Sequence, residues 1–233
     1  MISFKEIASS LSHIFYPHVC RGCGSDLIES HQLLCLHCIA DLPLTDFASH
    51  ASNPLEKTFW GRIHFDSAMS LLYFTPRSLT QQLVHQIKYK GQQKLALYLG
   101  NLMGETICRS GRFNNIDLII PLPLYTSRQK ERGYNQATLL SDGIAEIINA
   151  PVRENSMLRV HASTTQTRKS RTERWQNVNG LFMLKQDTDL AGKNILLVDD
   201  VITTGATIDA CASVINKISG TKLNIATLAY ALQ

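Results

Sequence analysis

Residues 195–207 read ILLVDDVITTGAT, and this stretch decides the fold that the sequence predicts. The run ILLV at 195–198 is continuously aliphatic, as is typical of a parallel strand that is covered on both faces. Asp199 and Asp200 follow where this strand is expected to end. Ligands of open α/β sheets bind at that edge, where adjacent carboxylates can accept hydrogen bonds from sugar hydroxyls or hold Mg²⁺. We therefore predict a ligand site at the carboxyl end of a buried strand.

The segment after the two acids has the composition of a phosphate-binding loop. A glycine lets the backbone turn so that several amides point inward, and small side chains and threonine hydroxyls surround it at a helix N-terminus. Apolar residues at helical spacing from Ile208 to Ile218 predict that helix. The residues assigned to this site are Asp199, Asp200, Val201, Thr203, Thr204, Gly205, Ala206 and Thr207. Together they predict a cradle for a sugar monophosphate.

Four cysteines form two CxxC pairs separated by eleven residues, namely Cys20, Cys23, Cys35 and Cys38. This spacing is typical of a zinc ribbon in which four thiolates complete a tetrahedron and leave no open position. Redox dithiols or a disulfide are the competing interpretations, and metal is favoured because no secretory signal is recognisable. The histidines that could replace a cysteine ligand are His18, His31 and His37, although a surface histidine is the favoured interpretation of each. We predict one structural Zn²⁺ in this segment.

Composition predicts one sizeable α/β core and a small appendage that needs metal to fold. The chain has 233 residues, of which 44% are hydrophobic and 18% charged. No run approaches the roughly 20 apolar residues of a membrane span, so we expect no transmembrane segment and a cytoplasmic location. We predict two domains: residues 1–60, with an N-terminal helix, the ribbon and a connector over 41–62, and residues 61–233, with the α/β core.

Apolar patterns alternate between strand and helix from residue 66 onward. The predicted strands are 68–74, 116–121, 195–198 and 223–231, and the predicted helices are 79–88, 95–107 and 134–148. Strand, crossover helix and strand in this order predict a parallel sheet with right-handed connections and flanking helices. Cys108 and Cys211 lie on apolar helix faces and are predicted core residues.

Two basic segments accompany these elements. Arg128, Lys130 and Arg132 fall in a predicted loop after the strand that ends at Pro121, where they could neutralise a diphosphate; a solvated surface loop is the alternative. Residues 151–175 hold six basic residues against two acidic ones, an excess equal to the +4 net charge of the whole chain. This second segment is predicted to be a mobile loop that covers a phosphorylated ligand or attracts a polyanion, or else an ordinary insertion.

Aromatic residues near these segments could stack on nucleic-acid bases if they are exposed. The candidates are Tyr125, Tyr134 and Trp175. Stacking beside basic residues would favour a single-stranded nucleic acid as a partner.

The motif at residues 195–207 resembles the signature of the type I phosphoribosyltransferases, which bind phosphoribosyl pyrophosphate (PRPP). Combined with the cysteine pairs, the chain resembles over nearly its whole length the ComF family of competence proteins, which includes GntX-type proteins. The opening LSHIFYPHVCRGCG is similar to the start of that family. Other residues that carry the resemblance are Lys88, Tyr89, Gly91, Arg132, Gly133, Tyr134, Asn135, Gln136, Gln166, Arg171, Arg174, Asn177 and Phe182. Ser163 and Lys169 depart from the family pattern.

The resemblance implies a role for each part of the site. Asp199 and Asp200 would hold the ribose hydroxyls and serve as the catalytic residues of any transfer reaction, residues 203–207 would hold the 5′-phosphate, and Mg²⁺ would accompany PRPP. Contacts to pyrophosphate or nucleic acid would come from Lys88, Arg128, Lys130, Arg132, Arg168, Arg171 and Arg174. The family further implies natural transformation, with incoming single-stranded DNA handled in the cytoplasm alongside proteins of the competence machinery.

Two other functions remain open from the sequence. An active Mg²⁺-dependent phosphoribosyltransferase would need an acceptor site, and no residue stands out as a general base for an acceptor. A PRPP-sensing regulator would bind a specific duplex and would show a sequence preference that a DNA-handling protein need not show.

Overall fold

The computed structural model describes residues 18–159, 181–185 and 189–232. Its central sheet is parallel and has the order β1-β6-β5-β2. The strands are β1 (Ser67–Phe74), β2 (Leu118–Pro121), β5 (Asn194–Ile202) and β6 (Lys222–Ala231). A separate antiparallel ribbon pairs β3 (Met157–Arg159) with β4 (Phe182–Leu184). The predicted parallel α/β architecture is confirmed.

Helices flank this sheet and join its strands. They are α1 (Leu36–Ala40), α2 (Pro54–Phe59), α3 (Leu79–Tyr89), α4 (Gln93–Ser110), α5 (Thr126–Arg132), α6 (Gln136–Ile148) and α7 (Ala206–Ile215). Side chains cap the N-termini of several helices. At the start of α3, the Ser78 hydroxyl accepts a hydrogen bond from the Gln81 amide at 3.2 Å, as helix N-caps commonly do. None of the helices in the described part of the chain has the length and apolar character that crossing a bilayer requires.

Strand β5 lies inside the sheet between β6 and β2. Its residues Ile195, Leu196, Leu197 and Val198 are fully buried, which explains the uninterrupted aliphatic run. The strand continues to Ile202, four residues beyond the predicted end, because its pairing with β6 extends that far. Strand β2 is shorter and ends opposite Val198. Asp199 and Asp200 therefore lie on the part of β5 that pairs with β6 but no longer with β2.

The segment 41–62, predicted as a connector, is part of the folded core. The Asn53 side chain caps α2 and also donates to the Ala68 carbonyl at 2.9 Å. Leu55 and Phe59 of that helix are fully buried, and the Thr45 amide donates to the Leu71 carbonyl at 3.1 Å. The boundary between two domains near residue 60 stays a prediction, although this segment already packs on β1.

Two further predictions require correction. The basic residues after β2 do not form a loop, because residues 126–132 close into α5, which ends at Gly133 in the left-handed conformation with φ of 78°. Cys108 is exposed, whereas Cys211 is buried as predicted. Position 108 lies near the end of α4, where the helix extends past the core residue Ile107.

Candidate functional site

The two acids lie on β5 beyond the end of β2. The Asp199 side chain accepts from the Asp200 amide at 2.8 Å, and the Asp200 side chain accepts from the Val201 amide at 2.6 Å. Both carboxylates are half-buried. Successive side chains on a strand point to opposite faces, so the two acids can contact different parts of a ligand at this edge.

Lys88 brings α3 to the site. Its Nζ lies 2.8 Å from Oδ2 of Asp200, and the two side chains are only 20% and 15% exposed. The Tyr134 hydroxyl donates to the Ile87 carbonyl, so the segment before α6 holds the end of α3 in place. The two internal motifs that carried the family resemblance therefore contact each other, and one of them reaches the acids.

The local environment raises the pKa of Asp199 to about 7. Burial is the main cause, and the negative charge of Asp200 adds to it. The positive charges of Lys88 and Arg159 act in the opposite direction. A carboxyl group with this pKa can gain or lose a proton near neutral pH, when a ligand changes the charge around it.

The predicted phosphate loop turns at Gly205, which has φ of 76°. A Cβ at this position would lie 2.7 Å from Cε1 of Phe59, so both the backbone conformation and the packing require glycine. Thr203 and Thr204 are exposed, and Thr207 is half-buried in the first turn of α7. The loop thus presents hydroxyls and the first amides of a ten-residue helix, which fits an anion such as a phosphate.

Arg62 supports this loop from the side of α2. Its Nη1 donates to the Thr58 carbonyl at 2.9 Å and to the Thr204 carbonyl at 3.1 Å. Its Nη2 forms an ion pair with the Asp209 carboxylate on α7. Burial raises the pKa of Asp209, and Arg62 opposes that rise. Sequence reasoning missed Arg62 because it lies in the supposed connector.

Arg159 is a second residue that sequence reasoning did not single out. Its guanidinium lies 3.7 Å from the ring centroid of Tyr125 and 5.2 Å from that of Phe182. Its Nε is buried and has no hydrogen-bond partner among the residues that the structure describes. The positive charge of Arg159 also lowers the pKa of Asp199. Arg159 is therefore a cation near the acids whose Nε–H group can donate a hydrogen bond to a ligand.

The predicted basic residues divide into four groups. Lys88 faces the acids, as described above. Arg132 is half-buried, donates to Oε1 of Gln136 at 2.9 Å and lies 5.4 Å from the ring centroid of Tyr89. Arg128 and Lys130 are exposed on α5. The remaining predictions, Arg168, Arg171 and Arg174, lie outside the described residues, as does Trp175.

The two predicted stacking residues that the structure describes, Tyr125 and Tyr134, are not open aromatic faces. Arg159 covers the ring of Tyr125, and the hydroxyl of half-buried Tyr134 is bonded to the end of α3. Tyr89, which was not considered for stacking, is instead 63% exposed.

The four cysteines of the predicted ribbon converge. Their sulfur atoms all lie within 4.8 Å of one another, and Sγ of Cys23 and Sγ of Cys35 are 3.7 Å apart. A tetrahedral zinc with Zn–S bonds of about 2.3 Å requires sulfurs about 3.8 Å apart. The cluster could therefore hold one metal ion, with Cys20, Cys23, Cys35 and Cys38 as its ligands.

Backbone amides favour the thiolate of Cys20, whereas burial and the neighbouring cysteines raise the pKa of Cys38. The Gly22 and Cys35 amides donate to Sγ of Cys20 at 3.4 and 3.3 Å. Burial alone would raise the pKa of Cys20, but these and neighbouring hydrogen bonds lower it to about 6. The three histidines considered as alternatives to a cysteine ligand have other contacts: His18 with the Gln32 carbonyl at 2.6 Å, His31 with Glu29 and His37 with Asp41. In the described ranges the metal-binding group contains cysteines alone.

Comparison with known proteins agrees with this arrangement. Residues 143–233, which include β5, the loop and α7, match the phosphoribosyl transferase domain. This match confirms the predicted phosphoribosyltransferase-like fold.

Two curated relatives match most of the chain, and a third matches less than half of it. DNA utilization protein YhgH of Salmonella typhimurium is 27% identical over 210 residues, 85% of this chain and 91% of that protein. Competence protein ComFC of Bacillus subtilis is 37% identical over 95 residues, 41% of this chain and 36% of that protein. Competence protein F of Haemophilus influenzae is 31% identical over 224 residues, 94% of this chain and 93% of that protein. The chain therefore belongs to the competence protein F (ComF) family.

Proposed function

We propose that this protein acts in natural transformation, handling incoming single-stranded DNA in the cytoplasm, and that it retains a binding site for PRPP. The observation that carries the proposal is the pair of acids beyond the end of β2, followed directly by the Gly205 loop and α7. The names of two relatives, a competence protein and a DNA utilization protein, support the DNA part. Proteins of the competence machinery are the partners that we expect.

The ligand would lie across the carboxyl edge of the sheet. Asp199 and Asp200 would accept hydrogen bonds from the ribose hydroxyls, and the loop at 203–207 would donate amides and hydroxyls to the 5′-phosphate. Lys88 lies 2.8 Å from Asp200, and Arg159 has a buried Nε without a partner in the described ranges. Both cations are suitably placed to attract the pyrophosphate group of PRPP.

The two carboxylates also fit Mg²⁺, a hard cation that prefers oxygen ligands. When bound with PRPP, Mg²⁺ would offset the charge of the pyrophosphate. The chain's own contribution is to orient the sugar and to place positive charge beside the diphosphate.

The cysteine cluster would hold a structural Zn²⁺. The donor set is four thiols, one of which has a pKa lowered to about 6, and no open ligand position remains. A Cβ on Gly22 would lie 2.8 Å from Cδ1 of Leu79, so the cluster packs closely on the start of α3. Zinc at this point would stabilise the helix whose other end carries Lys88.

An active phosphoribosyltransferase is the alternative that the same site allows. An acceptor nucleophile would attack C1 of PRPP, the C1–O bond would break, and pyrophosphate would leave with the electron pair. The raised pKa of Asp199 favours this alternative, because such a carboxyl group could exchange a proton with an acceptor near neutral pH.

The binding of PRPP and the release of pyrophosphate can be measured on the same protein samples. We expect PRPP with Mg²⁺ to bind the wild-type protein in calorimetry, and the variant Asp199→Asn with Asp200→Asn to bind at least about tenfold more weakly. Glu105→Gln is the control, because this exposed acid forms its ion pair within the described ranges with Arg109 on α4, away from the two acids. Equal PRPP affinity of the double variant and wild type, with unchanged circular dichroism, would reject the site.

The same samples test the DNA role and the alternative. A labelled single strand should bind the wild-type protein without pyrophosphate release from PRPP. Release that requires the two acids would identify a transferase instead. A marked preference for one duplex sequence would identify a PRPP-sensing regulator.

A further inference from the structure

An exposed aromatic residue follows directly after the lysine that pairs with Asp200. Tyr89 is the last residue of α3 and is 63% exposed. The residue before it, Lys88, pairs with Asp200, so the ring lies one residue, about 3.8 Å along the chain, from a group that reaches the acids. Arg132 and His85 border the ring, with the Arg132 guanidinium 5.4 Å and the His85 ring 5.0 Å from its centroid.

Arg132 lies next to this ring, and three more exposed cations lie on the same two elements. Besides Arg132, the exposed residues Lys90, Arg128 and Lys130 lie on the adjoining end of α3 and on α5. Within the described ranges, none of these four cations forms an ion pair with a carboxylate, although exposed Glu131 also lies on α5. Tyr89 and the four cations are called the Tyr89 patch below. Lys88 differs from these four because its charge is already used inside the site.

The Tyr89 patch is fixed relative to the acids. The Tyr134 hydroxyl donates to the Ile87 carbonyl at the end of α3. The Asn135 amide group donates to the Leu122 carbonyl at 3.0 Å, just after β2. These bonds join α3, the start of α6 and the end of β2, and Lys88 joins the same end of α3 to Asp200.

We propose that the Tyr89 patch is the binding surface for single-stranded DNA, with Tyr89 stacking on a base and the four cations contacting neighbouring phosphates. An exposed aromatic ring bordered by unpaired cations is the combination that binds single strands without sequence preference. The positive charge of the Tyr89 patch is complementary to a polyanion. The aromatic ring would stack on a base, whereas a pyrophosphate group offers no face for stacking. The inference rests on the proposed function and assigns its DNA contact to a surface beside the ligand site.

The first test compares ring variants by fluorescence anisotropy with a 20-nucleotide oligothymidylate at low salt. Stacking on an aromatic residue contributes about 1 to 3 kcal/mol per base, so Tyr89→Ala should weaken binding about 5- to 150-fold. Tyr89→Phe keeps the ring and should bind within about twofold of wild type. The control is Trp60→Ala, because Trp60 is 55% exposed and lines a different pocket with Glu56 and Asp66. PRPP affinity should be unchanged in all three variants.

The second test measures the salt dependence. Each phosphate contact on a single strand contributes about 0.7 to the slope of log K against log salt concentration. Arg128→Ala with Lys130→Ala should therefore reduce the slope by about 1.4. Lys193→Ala with Lys217→Ala should leave it unchanged, because Lys193 precedes β5 and Lys217 follows α7, so neither lies on α3 or α5. An unchanged slope in the α5 variant would contradict the phosphate contacts.

The outcomes separate this inference from the proposed function. Equal DNA affinity of wild type and Tyr89→Ala would overturn the Tyr89 patch and leave the DNA role standing. A wild-type protein that binds PRPP but no oligonucleotide would overturn both the patch and the DNA role. Photocrosslinking of wild type to an iododeoxyuridine oligonucleotide provides a check without mutation: crosslinks at Tyr89 support the proposal, and crosslinks found only elsewhere overturn it.

Discussion

At the scale of single residues, the charge of Asp199 depends on burial and on its neighbours. Its pKa is raised to about 7, first by burial and then by Asp200, whereas an Asp in an unfolded chain has a pKa of about 3.9. The folded protein therefore binds more protons than the unfolded chain between about pH 4 and pH 7. Its free energy of unfolding should fall as the pH rises through that window.

The variant Asp199→Asn removes this charge and tests the argument. A shift of one pKa unit corresponds to about 1.4 kcal/mol, and partial exposure reduces the effect, so we expect the variant to be about 2 kcal/mol more stable than wild type at pH 8. The difference should shrink toward pH 4. Urea unfolding without PRPP or Mg²⁺ measures it, with Glu105→Gln as the control. A stability gain that grows as the pH falls would contradict the assignment.

At the scale of elements, α2 and the phosphate loop form one structural unit. Arg62 joins them although it is 142 residues from Thr204 in the sequence, and Phe59 of α2 occupies the space beside Gly205. This explains which parts of the site could be predicted. The acids, the loop and the first turn of α7 are contiguous, so their pattern is visible in the sequence. Arg62 acts through a distant carbonyl, and no local pattern marks it.

Arg62 is a positioning residue for the loop, and Arg62→Lys should separate that role from simple stability. Lysine lacks the planar fork that reaches several oxygens at once, so we expect PRPP to bind about tenfold more weakly. Arg112→Lys is the matched control, because Arg112 is also half-buried and pairs with Glu56 at 2.6 Å, away from the acids. Both variants should melt at lower temperature.

Calorimetry with PRPP and with inorganic phosphate distinguishes the two variants. Arg62→Lys should lose affinity for both ligands, and Arg112→Lys should stay within about twofold of wild type. Equal losses in the two variants would mean that Arg62 affects only stability.

At the scale of the whole molecule, the sheet and the cysteine cluster were both predictable from the sequence. The strands of the sheet follow from repeated apolar runs, and the candidate metal ligands follow from cysteine spacing. The packing between these parts was not predictable. Leu34 and Cys38 are buried in one continuous core with Phe47 and Leu72, because apolar residues of the supposed connector fill the space between the cluster and β1.

Metal removal tests this continuity. We propose Zn²⁺ as the metal, and we expect one zinc per chain in protein purified under reducing conditions. Chelation should lower the melting temperature of the whole protein, because the cluster packs on Leu79 at the start of α3. Cys35→Ser with Cys38→Ser should reproduce the loss, and Cys108→Ser, an exposed cysteine outside the cluster, should not. A metal-free protein with an unchanged melting temperature would contradict the assignment.

The strand order has a consequence for how this protein is made. The first strand, β1, pairs in the described sheet with the last one, β6, which also lies against β5. During synthesis on the ribosome, β1 emerges about 150 residues before its partner, and such long-range pairings are slow to form. Until residues 222–231 leave the exit tunnel, the exposed edges of β1 and β5 can pair with other chains. A stop codon shortly before this strand would therefore remove the middle of the sheet, and with it the support for the acids, although every site residue had been translated.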